Sequence, residues 1–373
     1  MLTVERCVVS SSESDQAFLS ELNRCVDLMT PYLLRDSYVQ RFRPADIQDA
    51  ATMYVAGGGK RLRPAIMLWS CGAVGGDPDV ALPAAAAVEI FHTWTLVHDD
   101  IIDRDEMRRG GESVHVRFRK RSEEKYNLSG EDAEHYGMSV AILAGDVQHG
   151  WNVSMLTELT RDKGVPADVT LALIRELNDR TLNRLIEGEL LDLQYTRLPA
   201  GEPADEAVEE MLRKKTGELY RFCAWGGAQI GLGRNSPDDP RVQALSDFAL
   251  ECGVAFQMQD DVLGLIGDPK VTGKPVGNDL REGKRTLVLR EAWKRSDESQ
   301  RSLLRDVVGN PTASEEQVTR ATRLVVDLGA VQVVQERANT LIGKALPKLD
   351  VLEPSPWRDL LESWADFMIR RQD

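Results

Sequence analysis

Apolar residues in this chain recur every three to four positions over long stretches, and convincing alternation at every second position is missing. That spacing is the mark of amphipathic helices and predicts an all-α fold. A run opening at Pro83 continues without a breaker through Asp103. The same period holds over 136–160 and over 167–195, where Ile174, Leu177, Leu182, Leu185 and Leu190 form the stripe. It returns over 204–230 and 240–266, with further helices expected near 286–294, 314–328, 331–349 and 356–371. Gly and Pro fall mostly between these runs, as helix punctuation does. The expectation is a single domain over 16–373, a bundle of roughly ten or more mostly antiparallel helices around a central cavity. A polar segment, residues 1–15, is expected to be flexible.

Two stretches depart from the pattern. Residues 117–132 are strongly charged and predict a solvated surface loop. Residues 267–284 are rich in Gly, Pro and Lys and directly follow an acidic pair. A loop there is positioned to close over a ligand.

Composition narrows the function classes. A hydrophobic fraction of 42% supplies a core and excludes global disorder. The formal charge of −14 argues against a nucleic-acid partner, which favours a basic face. The five cysteines (Cys7, Cys25, Cys71, Cys223 and Cys252) have no paired spacing and read as reduced, buried thiols, with no zinc site. No signal peptide is apparent, and no uninterrupted apolar stretch is long enough to span a bilayer. A cytoplasmic location without membrane insertion is the expectation.

The candidate chemistry lies in two distant acidic clusters, Asp99-Asp100-Ile-Ile-Asp103 and Asp260-Asp261-Val-Leu-Gly264. Residues four apart share a helix face, so Asp99 aligns with Asp103, and Gln257 with Asp261. Crowded carboxylates repel unless a cation lies among them. Two such faces turned together would hold several Mg²⁺ ions, which also bind substrate phosphates. An acidic run on a helix is ordinarily a solvated face. Here the first run ends a largely apolar helix, 84–98, whose burial demands compensation for its carboxylates.

Basic motifs supply the opposite charge. Gly57-Gly-Gly-Lys60-Arg61-Leu-Arg63 is a Gly-rich turn followed by bases, without the spacing of a Walker loop. Its turn lets backbone approach a ligand while Lys60 and Arg63 neutralise phosphate oxygens. Arg108-Arg109, Lys215-Thr216, Lys274 and Lys284 interleave with the acids. His92 and His98 have no Ser or Cys partner at suggestive spacing, so no nucleophilic triad is assigned.

The set as a whole resembles the trans-isoprenyl diphosphate synthase (polyprenyl synthetase) family, from about residue 54 to the C-terminus. The matching motifs are Gly58-Gly-Lys-Arg-Leu-Arg-Pro64, His92 with Asp99-Asp-Ile-Ile-Asp103, Arg108-Arg-Gly110, Ala144-Gly-Asp146 and Gly188-Glu-Leu-Leu-Asp192. They continue through Lys215-Thr-Gly217, Phe256-Gln-Met-Gln-Asp-Asp261, Gly273-Lys-Pro-Val-Gly-Asn-Asp279 and Gly283-Lys284. The resemblance implies that Asp99, Asp100, Asp103, Asp260 and Asp261 hold Mg²⁺, about three ions per site. It implies an allylic diphosphate held by Arg108, Lys215, Thr216, Gln257, Lys274 and Lys284. Lys60, Arg63, His92 and Arg109 then match an isopentenyl diphosphate pocket. The implied reaction ionises the allylic diphosphate, couples the cation to isopentenyl diphosphate and loses a proton. Catalysis would come from charge and positioning, with water kept out.

Two departures from the family pattern concern the acids: Gly264 stands where a third aspartate of the second motif would be, and Glu189 stands where many members have Gln. Product length is expected to follow residues one and two turns before the first motif: Phe91, Trp94 and Thr95. Trp94 as a plug predicts a short product, geranylgeranyl diphosphate, with farnesyl diphosphate as the rival. A class I terpene cyclase and a silent regulatory subunit are the other readings. The cyclase would lack the Lys60, Arg63 and Arg109 pocket, and such subunits commonly lose the aspartate motifs. A homodimer is expected by analogy with the family.

Overall fold

The computed structural model describes residues 13–35, 37–199, 201–267 and 277–370. Its first half contains α1 (Glu13–Leu34), α2 (Ala45–Ala56), α3 (Leu62–Ala73), α4 (Leu82–Ile102), α5 (Val114–Tyr126), α6 (Gly130–Lys163), α7 (Ala167–Arg175) and α8 (Leu182–Tyr195). The second half contains α9 (Asp205–Leu212), α10 (Glu218–Leu232), α11 (Pro240–Ile266), α12 (Asn278–Glu282), α13 (Leu287–Arg295), α14 (Glu298–Val307), α15 (Glu315–Asp327), α16 (Ala330–Ala345) and α17 (Pro356–Arg370). Among the described residues the only strands are β1 (Met107–Arg108) and β2 (Gly111–Glu112), an antiparallel pair. The fold is all-α, as the apolar period predicts. Of the polar segment expected at 1–15, residues 1–12 lie outside the described residues, and α1 begins at Glu13.

The two acidic helices are the structural axis. α4 packs on α6 and α3, while α11 packs on α10 and α16. Ala84, Ala85, Ala86, Ala87 and Val88 of α4 are fully buried, and their small side chains let neighbouring helices approach closely. The helical segment Pro78–Ile102 is long and apolar enough by composition to cross a membrane, which the sequence expectation did not foresee, but 78% of its most apolar stretch is buried within the bundle. One apolar cluster runs from Phe18 to Met368, with Trp69, Trp151 and Trp364 fully buried. A smaller cluster joins Tyr54, Val97, Val114, Phe118, Ala141 and Ala144 beside the first acidic motif. Cys25, Cys71, Cys223 and Cys252 are buried free thiols.

Local chemistry sets the helix ends. Asp239 caps α11, accepting a hydrogen bond from the Arg241 N–H at 3.0 Å, with Pro240 at the first position. Asp297 with Gln300 and Ser314 with Gln317 form capping boxes on α14 and α15.

The structure corrects three sequence expectations. Residues 117–132 are not a loop: most belong to α5, and α6 begins at Gly130. Val114, Phe118 and Ser122, four apart, are buried on one face, and Arg121 lies over the Phe118 ring and pairs with Asp46 and Asp49 of α2. The helices expected at 167–195 and 204–230 are each widened by a π-helical turn, at Glu176–Thr181 and Arg213–Gly217. The second turn carries Lys215 and Thr216.

Candidate active site

Four carboxylates of the two motifs line one cavity of about 490 Å³. Asp99 and Asp103 come from the end of α4, and Asp260 and Asp261 from α11. Lys60, Arg108, Lys215, Gln257 and Lys284 share the same wall, together with Asp192 and Asp279. Leu96, Met211, Leu212 and Leu263 supply its apolar part.

Each cation is aimed by acids. Lys215 Nζ donates to Asp192 at 2.6 Å and lies 2.8 Å from Glu189. Burial pulls its pKa down, but Asp192, Glu189 and Asp99 outweigh that and hold it above the ordinary lysine value. Gly188 makes this possible: a Cβ there would lie 2.4 Å from the Lys215 backbone nitrogen, so only glycine lets α8 meet the π-helical turn. Lys284 Nζ donates to Asp103 at 3.0 Å and lies 3.1 Å from Glu282, bridging the segment after α12 to the first motif. Thr216 donates to the Gln257 Oε1 at 2.9 Å, and the Gln257 amide donates to Asp261 at 2.9 Å.

The acids are unevenly placed. Asp99 is pushed up to about 7 by burial and then by the charge of Glu189. Asp261 is driven well above the carboxylate range by burial, with Asp279 the next cause. Asp100 turns away from the cavity: it accepts hydrogen bonds from Tyr54 and from Arg108, whose Nε lies 2.8 Å away. The sequence grouping of Asp100 with Asp99 and Asp103 is therefore split by the geometry. Gly264 does not leave a gap in the second motif. A Cβ there would lie 2.8 Å from Asp279 Oδ2, so a carboxylate from α12 already occupies that direction.

A second basic group lies around the Gly-rich turn. Arg63 is 3.1 Å from His92 Nε2 and stacks over Tyr220 at 4.4 Å. Burial, followed by the charge of Arg63, drives His92 well below the ordinary histidine value, so it stays neutral. Arg109 and Gly110 form a two-residue hairpin loop with φ of 53° and 74°. The Arg109 guanidinium donates to the Tyr54 carbonyl at 2.9 Å and also to the Gly58 carbonyl. It packs so tightly on Gly59 that a Cβ there would meet it at 2.9 Å, and Gly59 has φ of 135° as well. Lys60 lies 5.8 Å from the Phe367 ring. Farther up α4, Trp94 is ringed by Phe91 at 5.1 Å and by His98 and His149 at 5.5 Å each. Thr95 and Phe91 are buried. Lys274 lies outside the described residues.

Sequence reasoning assigned no role to Asp192 or Asp279, although both sit in quoted motifs, and it passed over Tyr54 entirely. The first two were signalled by their spacing from Gly188 and Lys284. Tyr54 gave no signal, since an aromatic at an apolar position reads as core.

The donor set suits a hard divalent cation, with carboxylate oxygens on two facing helices held close to like charges in a buried setting. Among the described residues, no three acidic or imidazole groups converge as a complete cage. Mg²⁺ does not demand one, because it keeps waters and takes substrate oxygens.

Cationic and acidic side chains on opposing helices, around a cavity with an apolar patch, suit a diphosphate-handling enzyme of the all-α isoprenoid synthase type. The chain belongs to the polyprenyl synthetase family, whose model matches residues 44–325. It is a trans-prenyltransferase. It is 34% identical to a geranylgeranyl diphosphate synthase of Methanosarcina mazei, over 88% of this chain and 91% of that one. It is equally 34% identical to a geranylfarnesyl diphosphate synthase of Aeropyrum pernix, over 91% and 99%. The solved geranylgeranyl pyrophosphate synthase from Corynebacterium glutamicum, complexed with isoprenyl diphosphate and magnesium, superposes with a TM-score of 0.79 at 30% identity, over 97% of this chain and 100% of that one.

Proposed function

We propose that this enzyme condenses isopentenyl diphosphate with an allylic diphosphate to make geranylgeranyl diphosphate. The carrying observation is that Asp99, Asp103, Asp260 and Asp261 line one cavity with Arg108, Lys215 and Lys284. Those four aspartates would hold Mg²⁺, about three ions at the family's usual site. The chemistry such an ion would supply is Lewis-acid stabilisation of the negative charge on a departing diphosphate.

The chain's own side chains do the rest. Arg108, Lys215 and Lys284 grip the same diphosphate and stabilise the charge it gains, with Thr216 and Gln257 fixing the wall beside it. Lys274 is assigned to the same task from its motif. Lys60, Arg63, His92 and Arg109 take the isopentenyl diphosphate. Neutral His92 serves there as a hydrogen-bond partner without adding repulsion to the arginines. Leu96, Met211, Leu212 and Leu263 exclude water from the reacting carbon. The departing diphosphate takes up the proton, so the site needs no side-chain base. Asp100 is assigned to holding Arg108.

The product assignment is supported by the bulk of Trp94, just over one turn before Asp99, packed against Phe91, more than two turns before it, and against His149 of α6. Residues 16–373 act as one domain, supported by the main apolar cluster, which runs from Phe18 to Met368. We further propose a cytoplasmic homodimer. Its support is the exposed apolar face of α6 (Met138, Ile142, Leu143) and of α8 (Ile186, Leu190, Leu193).

The test is a product assay with dimethylallyl, geranyl and farnesyl diphosphates, each with isopentenyl diphosphate and Mg²⁺. Geranylgeranyl diphosphate as the main product is expected. A hydrocarbon formed without isopentenyl diphosphate would identify a cyclase instead. Trp94→Ala is expected to lengthen the product, as read by mass spectrometry, and an unchanged product would remove Trp94 as the floor.

A further inference from the structure

We infer that Tyr54 is a positioning residue that sets the two arginines of the Arg108-Arg109 pair, one through its hydroxyl and one through its carbonyl. The inference rests on the reading above, in which Arg108 faces the allylic diphosphate and Arg109 the isopentenyl diphosphate.

Tyr54 sits in the last turn of α2, four residues before Gly58, and is 3% exposed. Its hydroxyl donates to Asp100 Oδ2. The other carboxylate oxygen, Oδ1, accepts from both Nε and Nη2 of Arg108. Asp100 is thus a rigid relay: one oxygen is held by the phenol and the other holds the guanidinium fork. Arg108 also donates to Asp105 at 3.1 Å, but that acid is its near neighbour in the same turn. Asp100 reaches Arg108 from the end of α4, and Tyr54 holds Asp100 from α2.

One further hydrogen bond fixes the phenol. The Val114 N–H, one of the orphan donors at the start of α5, donates to the Tyr54 oxygen at 3.1 Å. Burial and the neighbouring Asp100 hold the phenol far above its ordinary pKa, so it remains a donor. Meanwhile the Tyr54 carbonyl accepts from Arg109 Nη1 at 2.9 Å. One residue of α2 therefore connects the hairpin that carries both arginines to the Gly-rich turn that carries Lys60. Phenylalanine would fit the space but would leave Asp100 Oδ2 buried without its donor, and the carboxylate would then turn and take Arg108 with it.

The two halves of Tyr54 separate experimentally. Tyr54→Phe removes the hydroxyl and keeps the carbonyl. The expected result is a drop of about ten-fold in kcat/KM for the allylic diphosphate, the scale of one hydrogen bond to a buried charge. KM for isopentenyl diphosphate should change by less than about two-fold, since Arg109 keeps its acceptor. In an Arg108→Lys background, which lacks the fork, Tyr54→Phe should have almost no further effect. Circular dichroism and a thermal midpoint establish that each variant is folded. Asp100→Asn, which keeps one acceptor oxygen and turns the other into an amide donor, should cost the allylic kcat/KM at least as much as Tyr54→Phe. The inference is overturned if Tyr54→Phe leaves the allylic kcat/KM unchanged. It is equally overturned if both substrates suffer alike, or if the loss is as large in the Arg108→Lys background. Should Arg108→Lys alone leave the allylic kcat/KM intact, the assignment of Arg108 itself fails, which is a different result from failure of the Tyr54 relay.

Discussion

At the scale of single residues, Asp99 carries a direct consequence of burying like charges. Burial and Glu189 push its carboxyl up to about 7, from a reference of 3.8. The folded state therefore binds a proton that the unfolded state releases, and this site's contribution to stability is lost as pH rises between about 4 and 7. In the metal-free protein, Asp99→Asn should raise the thermal midpoint at pH 8, where wild type must bury the charge, and the gain should shrink at pH 5. A gain that is flat across that range would remove Asp99 as the strained group. Gly264 makes a second residue-level case. Alanine there favours the helix by about 1 kcal/mol. Its methyl would nonetheless sit 2.8 Å from Asp279 Oδ2 and swing that carboxylate aside. Gly264→Ala should keep or raise stability, while the Mg²⁺ concentration for half-maximal activity rises by about ten-fold, the scale of one pKa unit of misplaced charge. An unchanged Mg²⁺ titration would show that the place of the Asp279 carboxylate does not matter to the neighbouring metal-holding aspartates.

Among the elements, the meeting of α8 with the π-helical turn at Arg213–Gly217 sets where Lys215 points. Gly188→Ala would drive a Cβ to 2.4 Å from the Lys215 backbone nitrogen, and backbone, unlike a side-chain tip, cannot rotate away. A stability loss of about 1–3 kcal/mol in denaturant titration is expected. A fall in kcat should accompany it, even at temperatures where the variant is fully folded. Full activity in the folded variant would mean that Lys215 is aimed by something other than this contact. The same element explains what was legible in the sequence. Lys215-Thr-Gly217 stood out as a motif, but the widened turn did not, because one inserted residue barely disturbs a 3.6-residue stripe. Residues 117–126 failed for the opposite reason: their charges outnumber the buried face of Val114, Phe118 and Ser122. The acids and bases of the site were readable because chemistry fixes their types. Asp100 turning to Tyr54 was not, since spacing along a helix gives a face but not the partner waiting on it. Tyr54 itself was hidden because only three-dimensional neighbours distinguish a phenol that donates from one that merely packs.

For the molecule as a whole, α4 and α11 belong both to the site and to the core, so occupancy of the cavity is coupled to global stability. Its wall carries Asp99, Asp103, Asp192, Asp260, Asp261 and Asp279 against Lys60, Arg108, Lys215, Lys284 and Arg285. Inorganic diphosphate alone would meet the cations but repel the acids. A divalent ion alone would relieve the acids but leave its outer coordination to water. Together they satisfy both sets, so their stabilisation should exceed the sum of the separate effects. With the complex at one hundred times its Kd, mass action gives about 2.7 kcal/mol, readable as a rise of several degrees in the melting temperature. Chelation should reverse it, and Asp99→Asn combined with Asp260→Asn should abolish it, whereas Asp239→Asn at the far cap of α11 should leave it intact. If diphosphate without any divalent ion gave the same rise, the lysines and arginines would suffice, and the two acidic clusters would need another explanation.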